Sequence, residues 1–253
     1  MARIVQEQTT NRLLRSLSQE AFKVIGPYVV SVDLPVGRPL VEAGKPIDHV
    51  CFIESGLASM VVVSSDGNSI EVGQIGFEGL SGYPVLLGVD RTPNRTFMQV
   101  AGRGLELSTS RVLALQDQPE ARLLFLRYIH TRELQLAHSA LAAARYSMHQ
   151  RLARWLLMCH DRLISDDMPL THDFLALMLG VRRSGVTEHL HVLEGMHAIR
   201  STRGSVRILS RRILIDIAGA CYGAPEAEYE RLIGAEMSGG ERPSKLRGKV
   251  WLS

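Results

Sequence analysis

The feature that most constrains this chain is an abrupt change of texture at Pro119. From Tyr28 to about Thr109 the sequence is a series of short, β-branched runs (YVVSVDL, HVCFI, LASMVVV, SIEVGQI, RTFMQV, GLELS) separated by Gly, Pro, Asp and Asn. Many short strands at close spacing predict a sandwich or barrel. The Ser65-Asp66-Gly67-Asn68 stretch is the clearest hairpin turn, because Asp-Gly accepts positive φ. After Pro119 the strand signals stop, and residues 120–148 are rich in Leu, Ala, Arg, Glu and Gln with neither Gly nor Pro, which predicts a helix of several turns. A sheet segment followed by a helical one gives an α+β chain. A further helix is expected over residues 10–25, where Leu13, Leu14, Leu17, Phe22 and Ile25 fall at near-helical spacing and Pro27 lies just beyond.

The 253 residues suffice for two domains, and 45% hydrophobic with 22% charged residues is the composition of a globular protein with a full core. No apolar run is long enough to span a bilayer, and the polar start, MARIVQEQTTNRLLRSL, lacks the apolar stretch of a signal peptide. A cytoplasmic protein without a membrane partner is expected. Cys51, Cys159 and Cys221 form no CxxC pair and are read as reduced, small apolar residues with no iron–sulfur role. Charge is unevenly spread. Residues 145–212 carry eleven Lys and Arg against six Asp and Glu, while the segments on either side are each at a net of −1. The positive excess therefore lies where a polyanion would be met.

On the long helix, Leu134, Ala137, Leu141, Ala144 and Met148 form a seam of three- and four-residue steps. A second seam (Leu126, Ile129, Leu136, Ala140, Ala143) is nearly as good. Either one could pack against the barrel or against a second copy of the helix in a coiled-coil homodimer. Residues 149–164 read as another amphipathic helix ending at Ser165-Asp166-Asp167.

The densest signal follows. Thr171 is a candidate N-cap, a short helix runs to Leu179, and Gly180 is placed to turn. A second helix is expected from Arg182 to about Gly195, with Val186, Leu190 and Leu193 as its buried stripe. Its other face presents Arg183, Thr187 and His191, flanked by Ser184 and Glu188, all able to exchange hydrogen bonds with base edges or phosphates. His197-Ala198-Ile199 and Val206–Leu209 then flank Ser201–Ser205, a two-stranded wing tipped by Arg203-Gly204. Arg200, Arg203 and Arg207 on this wing are candidates for phosphate contacts. The alternative reading of spacing alone is a helical pair with a surface hairpin.

The segment LTHDFLALMLGVRRSGVTEHLHVLEGMHAI and its wing resemble the carboxy-terminal domain of the cyclic-AMP receptor protein / fumarate–nitrate reduction regulator (Crp/Fnr) family. The match lies in Leu175-Ala176, Leu179-Gly180-Val181, Arg183, Val186, Leu190 and Leu193-Glu194. Upstream, Gly37, Leu40, Gly44, Phe52-Ile53, Ser55-Gly56 and Asp66-Gly67 resemble the family's cyclic-nucleotide-binding-like barrel. The resemblance covers roughly residues 10–222. It implies a jelly-roll sensor barrel over 1–117, a dimerisation helix over 118–148 and a winged helix-turn-helix over 149–222; beyond the resemblance, the residues of the tail, 223–253, predict a short helix around Pro225–Ile233. It also implies a homodimer on double-stranded DNA, two half-sites, and contact with RNA polymerase. Arg182 and Arg183 open the reading helix, and Arg183 matches the family's base-contacting arginine. Ser184 and Glu188 depart from the family's usual Glu and Arg, so a different half-site is expected. Gly185 inside the helix costs about 1 kcal/mol relative to Ala.

For the sensor, the resemblance points to Glu78-Gly79 and Arg95-Thr96 as counterparts of the residues that hold a nucleotide's ribose and phosphate. The intervening LSGYPVLLGVDRTPN is long, Phe97 replaces a small residue, and Leu136-Ala137 replaces polar positions on the long helix. Cyclic AMP in its usual pose is therefore not expected. A different small-molecule effector, a barrel kept for protein contacts and a regulator acting without ligand stay open. No histidine singles itself out for haem, and no cofactor is assigned. The alternative from another class is a cupin-like metal-dependent barrel enzyme. That chemistry needs clustered ligands, yet the strand-rich segment holds one histidine, His49. His189 and His191, at i and i+2 on a helix, point to different faces. No GxSxG, HExxH or P-loop pattern is present, and an enzyme is not expected.

Overall fold

A computed structural model describes residues 4–234 of the chain. The amino-terminal segment folds as two short helices, α1 (Arg12–Ser16) and α2 (Gln19–Ile25), where the sequence predicts one. The reason is a pair of caps: Asn11 accepts from the Leu14 amide, and Ser18 accepts from the Ala21 amide while Leu17 is extended. The strands are β1 (Val30–Leu34), β2 (Pro39–Val41), β3 (His49–Val63), β4 (Ser69–Ile75), β5 (Leu80–Ser81) and β6 (Arg95–Ser108). They form one antiparallel sheet in the order β1-β6-β3-β4, with β2 added to β6 and β5 to β3. The runs HVCFI and LASMVVV join into the single strand β3, and RTFMQV and GLELS join into β6; register shifts around Ser55–Leu57 absorb the irregularity. The expected hairpin turn at Ser65–Asn68 connects β3 to β4.

Alternation along β3 builds two clusters. Val50 and Phe52 face Leu13, Leu14, Phe22 and Ile25 of the first helices, whereas Cys51 and Ile53 pack with Leu34, Ile75 and Met98 on the other side. After α3 (Thr109–Leu113) comes α4 (Pro119–Arg145), with Pro119 in its first turn. Ala121, Leu124, Phe125, Tyr128, Thr131, Arg132, Gln135 and Ala142 are its buried face. At 100° per residue, Leu134, Ala137, Leu141 and Ala144 lie opposite that face, and the last three are exposed. The second seam lies off that face as well, with Leu126, Ala140 and Ala143 exposed.

The chain breaks at Tyr146-Ser147, and α5 (Met148–Arg162) begins with a capping box between Ser147 and Gln150. An amphipathic helix is expected here, but every residue from Leu152 to Arg162 is buried. One side packs on the sheet and the other on the helices that follow, so the whole circumference of α5 is covered. The remaining elements are β7 (Asp167–Met168), α6 (His172–Leu179), α7 (Arg183–Gly195), β8 (Ile199–Thr202), β9 (Ser205–Ile208), α8 (Arg211–Ala218) and α9 (Ala224–Leu232). Their core (Leu152, Leu156, Leu175, Val186, Leu190, Leu193, Leu214) is continuous with Leu57 and Val61 of β3.

Helix α9 lies in the region read from sequence as a tail, yet it packs against α4, and its Tyr229 joins the core between the first helices, the sheet and α4 together with Ile233. The rest of that tail, 235–253, lies outside the described residues. Cys51, Cys159 and Cys221 are buried and free. Among the described residues, no helix is long and apolar enough to cross a membrane.

Candidate nucleic-acid interface

The two helices of the motif form where the sequence places them. Thr171 accepts from the Phe174 amide at 3.1 Å and starts α6. Gly180 ends it in the left-handed region (φ 64°), where a residue with a Cβ is strained. The Gly180 and Val181 amides bond back to the carbonyls of Leu177 and Ala176. A Cβ on Gly180 would also lie 3.1 Å from Cδ1 of Ile70, so the turn rests on β4. Helix α7 then buries Val186, Leu190 and Leu193, the stripe read from sequence.

The free edge of α7 is its amino-terminal turn. Arg182, the N-cap, and Arg183 and Ser184 are exposed, as are Glu188 and His191 further along. No side chain caps α7, so its first amides and the positive end of its dipole face solvent, an arrangement that attracts phosphate. The Arg183 guanidinium lies 3.3 Å from Asp173 of α6, with both side chains about two-thirds exposed. Asp173 is thus the carboxylate beside Arg183. His191 lies 3.3 Å from Glu194.

Thr187 differs from its neighbours. Its hydroxyl donates to the Arg183 carbonyl at 3.2 Å and lies 3.0 Å from Nδ1 of His172, so it is occupied within the motif. Because that hydroxyl's one proton goes to the carbonyl, His172 donates from Nδ1. Its Nε2 meets the Ser201 hydroxyl at 3.1 Å. His172, which sequence reasoning passed over, therefore ties α6, α7 and the wing together. Its partners lie 15 and 29 residues away, and nothing local marks it. Glu194 adds a second tie, accepting from the Ser201 amide at 2.6 Å. On the inner side of α7, His189 Nδ1 lies 3.0 Å from His149 Nε2 of α5. Burial, and then the neighbouring imidazole, lower the pKa of His189. His189 and His191 do point to different faces.

The wing is β8 and β9, turned at Arg203-Gly204, with β7 as a third strand on β9. Arg200 and Arg207 are exposed directly opposite each other. Arg207 forms a bidentate pair with Asp167 at 2.6 and 2.5 Å, which holds the Asp167 carboxyl below its usual range. Asp167, expected in a polar turn, therefore occupies one of the three wing arginines. Arg200 and Arg203 are exposed.

The four effector candidates do not converge. Glu78 is buried beneath α5, where Arg162 Nε donates to it at 2.6 Å. Gly79 packs against Tyr128; a Cβ there would lie 2.4 Å from the Tyr128 hydroxyl oxygen. Arg95 is exposed, with its guanidinium over Phe97, and Thr96 is buried opposite Met60. Gly79 bonds to Ile53, while Arg95 pairs with Val61, a separation along β3 on the order of 25 Å at the strand's rise. Among the described residues, no three His, Cys, Asp or Glu side chains are grouped to hold a metal.

Residues 150–217 match the model of the Crp-like helix-turn-helix domain. The chain is 26% identical over 198 residues to the global nitrogen regulator of Nostoc sp. (strain PCC 7120 / SAG 25.82 / UTEX 2576), covering 74% of this chain and 86% of that protein. FixK2 from Bradyrhizobium japonicum shares the fold with a TM-score of 0.66 at 15% identity, over 76% of this chain and 98% of that one. The c-di-GMP responsive global regulator CLP of Xanthomonas campestris shares it with a TM-score of 0.60 at 16% identity, over 76% of this chain and 100% of that one.

Proposed function

We propose, from the premise that this chain is a DNA-binding transcription regulator of the Crp/Fnr type, that it acts in the cytoplasm as a homodimer reading two half-sites in the major groove. The observation that carries the reading is the exposed amino-terminal turn of α7, set beside an exposed wing and uncapped. Arg183 is the base-reading residue, taking N7 and O6 of a guanine once DNA displaces Asp173. Ser184, Glu188 and His191 line the same groove, and Glu188 suits a cytosine amine. Arg182, Arg200 and Arg203 meet phosphates, which fixes register without specifying sequence. Thr187 supports the helix from within. Arg207 reaches DNA only by sharing or leaving Asp167.

The dimer forms along the face of α4 that carries Leu134, Ala137, Leu141 and Ala144. RNA polymerase is the expected further partner. Cyclic AMP in its usual pose is not the input, because Glu78 already holds Arg162 and lies far from Arg95. The deciding experiment is selection of bound sequences from random DNA by the full chain, with and without cyclic nucleotides. Enrichment of a repeated half-site with centres about one helical turn (~34 Å) apart is expected. Enrichment of no sequence, or of a single unrepeated site, would overturn the reading.

A further inference from the structure

The last described helix enters the sensor at the place where an effector was expected. Glu78 is gripped there from two sides, and both grips come from chain that follows the sensor. Its carboxylate takes the Arg162 Nε bond from the end of α5, with both side chains less than a tenth exposed. Its main-chain carbonyl accepts from the Tyr229 hydroxyl of α9 at 2.6 Å. Next to this, Glu230 of α9 forms a bidentate pair with Arg12 of α1 at 2.5 and 2.9 Å, and the Arg12 guanidinium lies over the Tyr229 ring. The other end of α9 is fixed to the winged domain: the Tyr222 hydroxyl just ahead of it donates to Asp161 of α5 at 2.8 Å and accepts from Arg211 of α8. Helix α9 is thus anchored at both ends, on the winged domain before it and on the sensor along it.

The space it closes over is small. The cavity lined by Glu78, Tyr128, Arg132, Arg162, Glu226 and Tyr229 measures about 20 Å³, room for about one water molecule and no more. Nε and Nη2 of the buried Arg132, a residue that is 3% exposed, have no hydrogen-bond partner there. The two oxygens of Glu226 arrive on α9 itself, and their charge acts on Arg162 and Arg154.

We propose that α9 is a tethered strap that fixes the winged domain in one posture on the sensor through Glu78, Tyr229 and the Arg12–Glu230 pair, setting from within the chain what a diffusible effector would otherwise set. A tethered segment competes at high effective concentration, so a weak set of contacts suffices to keep the site occupied. The proposal rests on the dimeric, two-half-site reading above for its effect on DNA.

The test uses the full chain and two variants, Tyr229→Phe and Arg12→Gln, which weaken the sensor anchor from opposite sides without altering α7. Two quantities are measured: amide exchange over residues 224–233 and 76–80, and the ratio of affinities for paired and single half-sites. Loss of one such bond should speed exchange over both segments by roughly three- to tenfold and lower the paired-to-single ratio, with single-site affinity and cooperative unfolding kept. Added cyclic AMP, cyclic GMP or cyclic di-GMP should change neither quantity in the wild-type chain. Faster exchange with an unchanged ratio would overturn the strap, as would a nucleotide that displaces α9 or alters the ratio. If one variant fails to fold, the other decides. If the wild-type chain itself shows no preference for paired sites, the dimer reading fails. Exchange then decides the strap: equal rates in wild type and variants refute it, and faster exchange at 76–80 supports it.

Discussion

Replacing Glu71 with Gln should make this protein more stable at neutral pH, although Glu71 makes three hydrogen bonds. Glu71 lies on β4, where the sheet meets α5. Its Oε1 accepts from Trp155 Nε1 at 2.7 Å and from Gln74 Nε2 at 3.1 Å. Its Oε2 lies 2.5 Å from the Ser59 hydroxyl, which is itself 2.6 Å from Oε1 of Gln99. Ser59 has one proton and two acceptors to satisfy. Both contacts are hydrogen bonds when a neutral Glu71 donates to Ser59, which then donates to Gln99; an ionised Glu71 would need the Gln99 amide turned, so that its otherwise unpartnered Nε2 donates to Ser59. Burial raises the Glu71 pKa to about 7, against the opposing effect of bonds from Ser59, Gln74 and Trp155 and of the Arg162 charge.

Between pH 4.5 and 7 the unfolded chain has released this proton and the folded chain has kept it. Stability contributed by the neutral carboxyl is therefore fully present below about 4.5, falls as pH rises, and is gone above about 7. A shift of this size corresponds to at most about 3.4 kcal/mol. Glu71 as a residue is half-buried, and solvent screening reduces the expected figure to about 1–3 kcal/mol. The Gln amide reproduces the neutral pattern, accepting from Trp155 and donating to Ser59. Urea unfolding of both proteins, followed by tryptophan fluorescence from pH 4.5 to 8.5, should show near-equal stability at the acid end and the variant ahead by about 1–3 kcal/mol at pH 8. A variant destabilised equally across the range would mean that Glu71 is ionised in the fold, and the proton count would be wrong.

Arg183→Ala should cost about 1–3 kcal/mol at one base position and relax specificity there; equal loss on selected and random DNA, in a competition titration, would make it a phosphate contact. Arg203→Ala should weaken binding to all sequences and flatten the salt dependence by about one unit of slope, and an unchanged slope removes the wing tip from the interface. His172→Ala should lower stability by about 1–2 kcal/mol through its two hydroxyl contacts and broaden the amide resonances of the wing. If the wing spectrum is unaltered, Glu194 alone holds it.

The parts of this fold legible in the sequence are those whose causes are local. Thr171, Gly180 and the Val186, Leu190, Leu193 stripe lie within one motif, and each reports its own conformation through a cap, a positive φ or a period. The break at Leu17-Ser18 was hidden because Leu13, Leu14, Phe22 and Ile25 continue the helical period across it. Helix α5 looked one-sided because Arg154, Asp161 and Arg162 are charged, and only the folded chain supplies the partners that let them be buried. Glu78 is the clearest case. An acidic residue beside a glycine after a strand fits a ribose contact and an ion pair equally well, and the partner that decides lies 84 residues further on.

The joint between α4 and α5 has a mechanical consequence. Ser147 and Gln150 satisfy amides at the start of α5 through a reciprocal capping box, so α5 begins as a helix of its own. Tyr146 and Ser147, both extended, are left as a two-residue pivot between the helices. In the proposed dimer, torque carried down the two α4 helices would turn α5 about this pivot as a separate lever instead of bending it. The recognition helix, bound to that lever through His149 and His189, would swing as one piece.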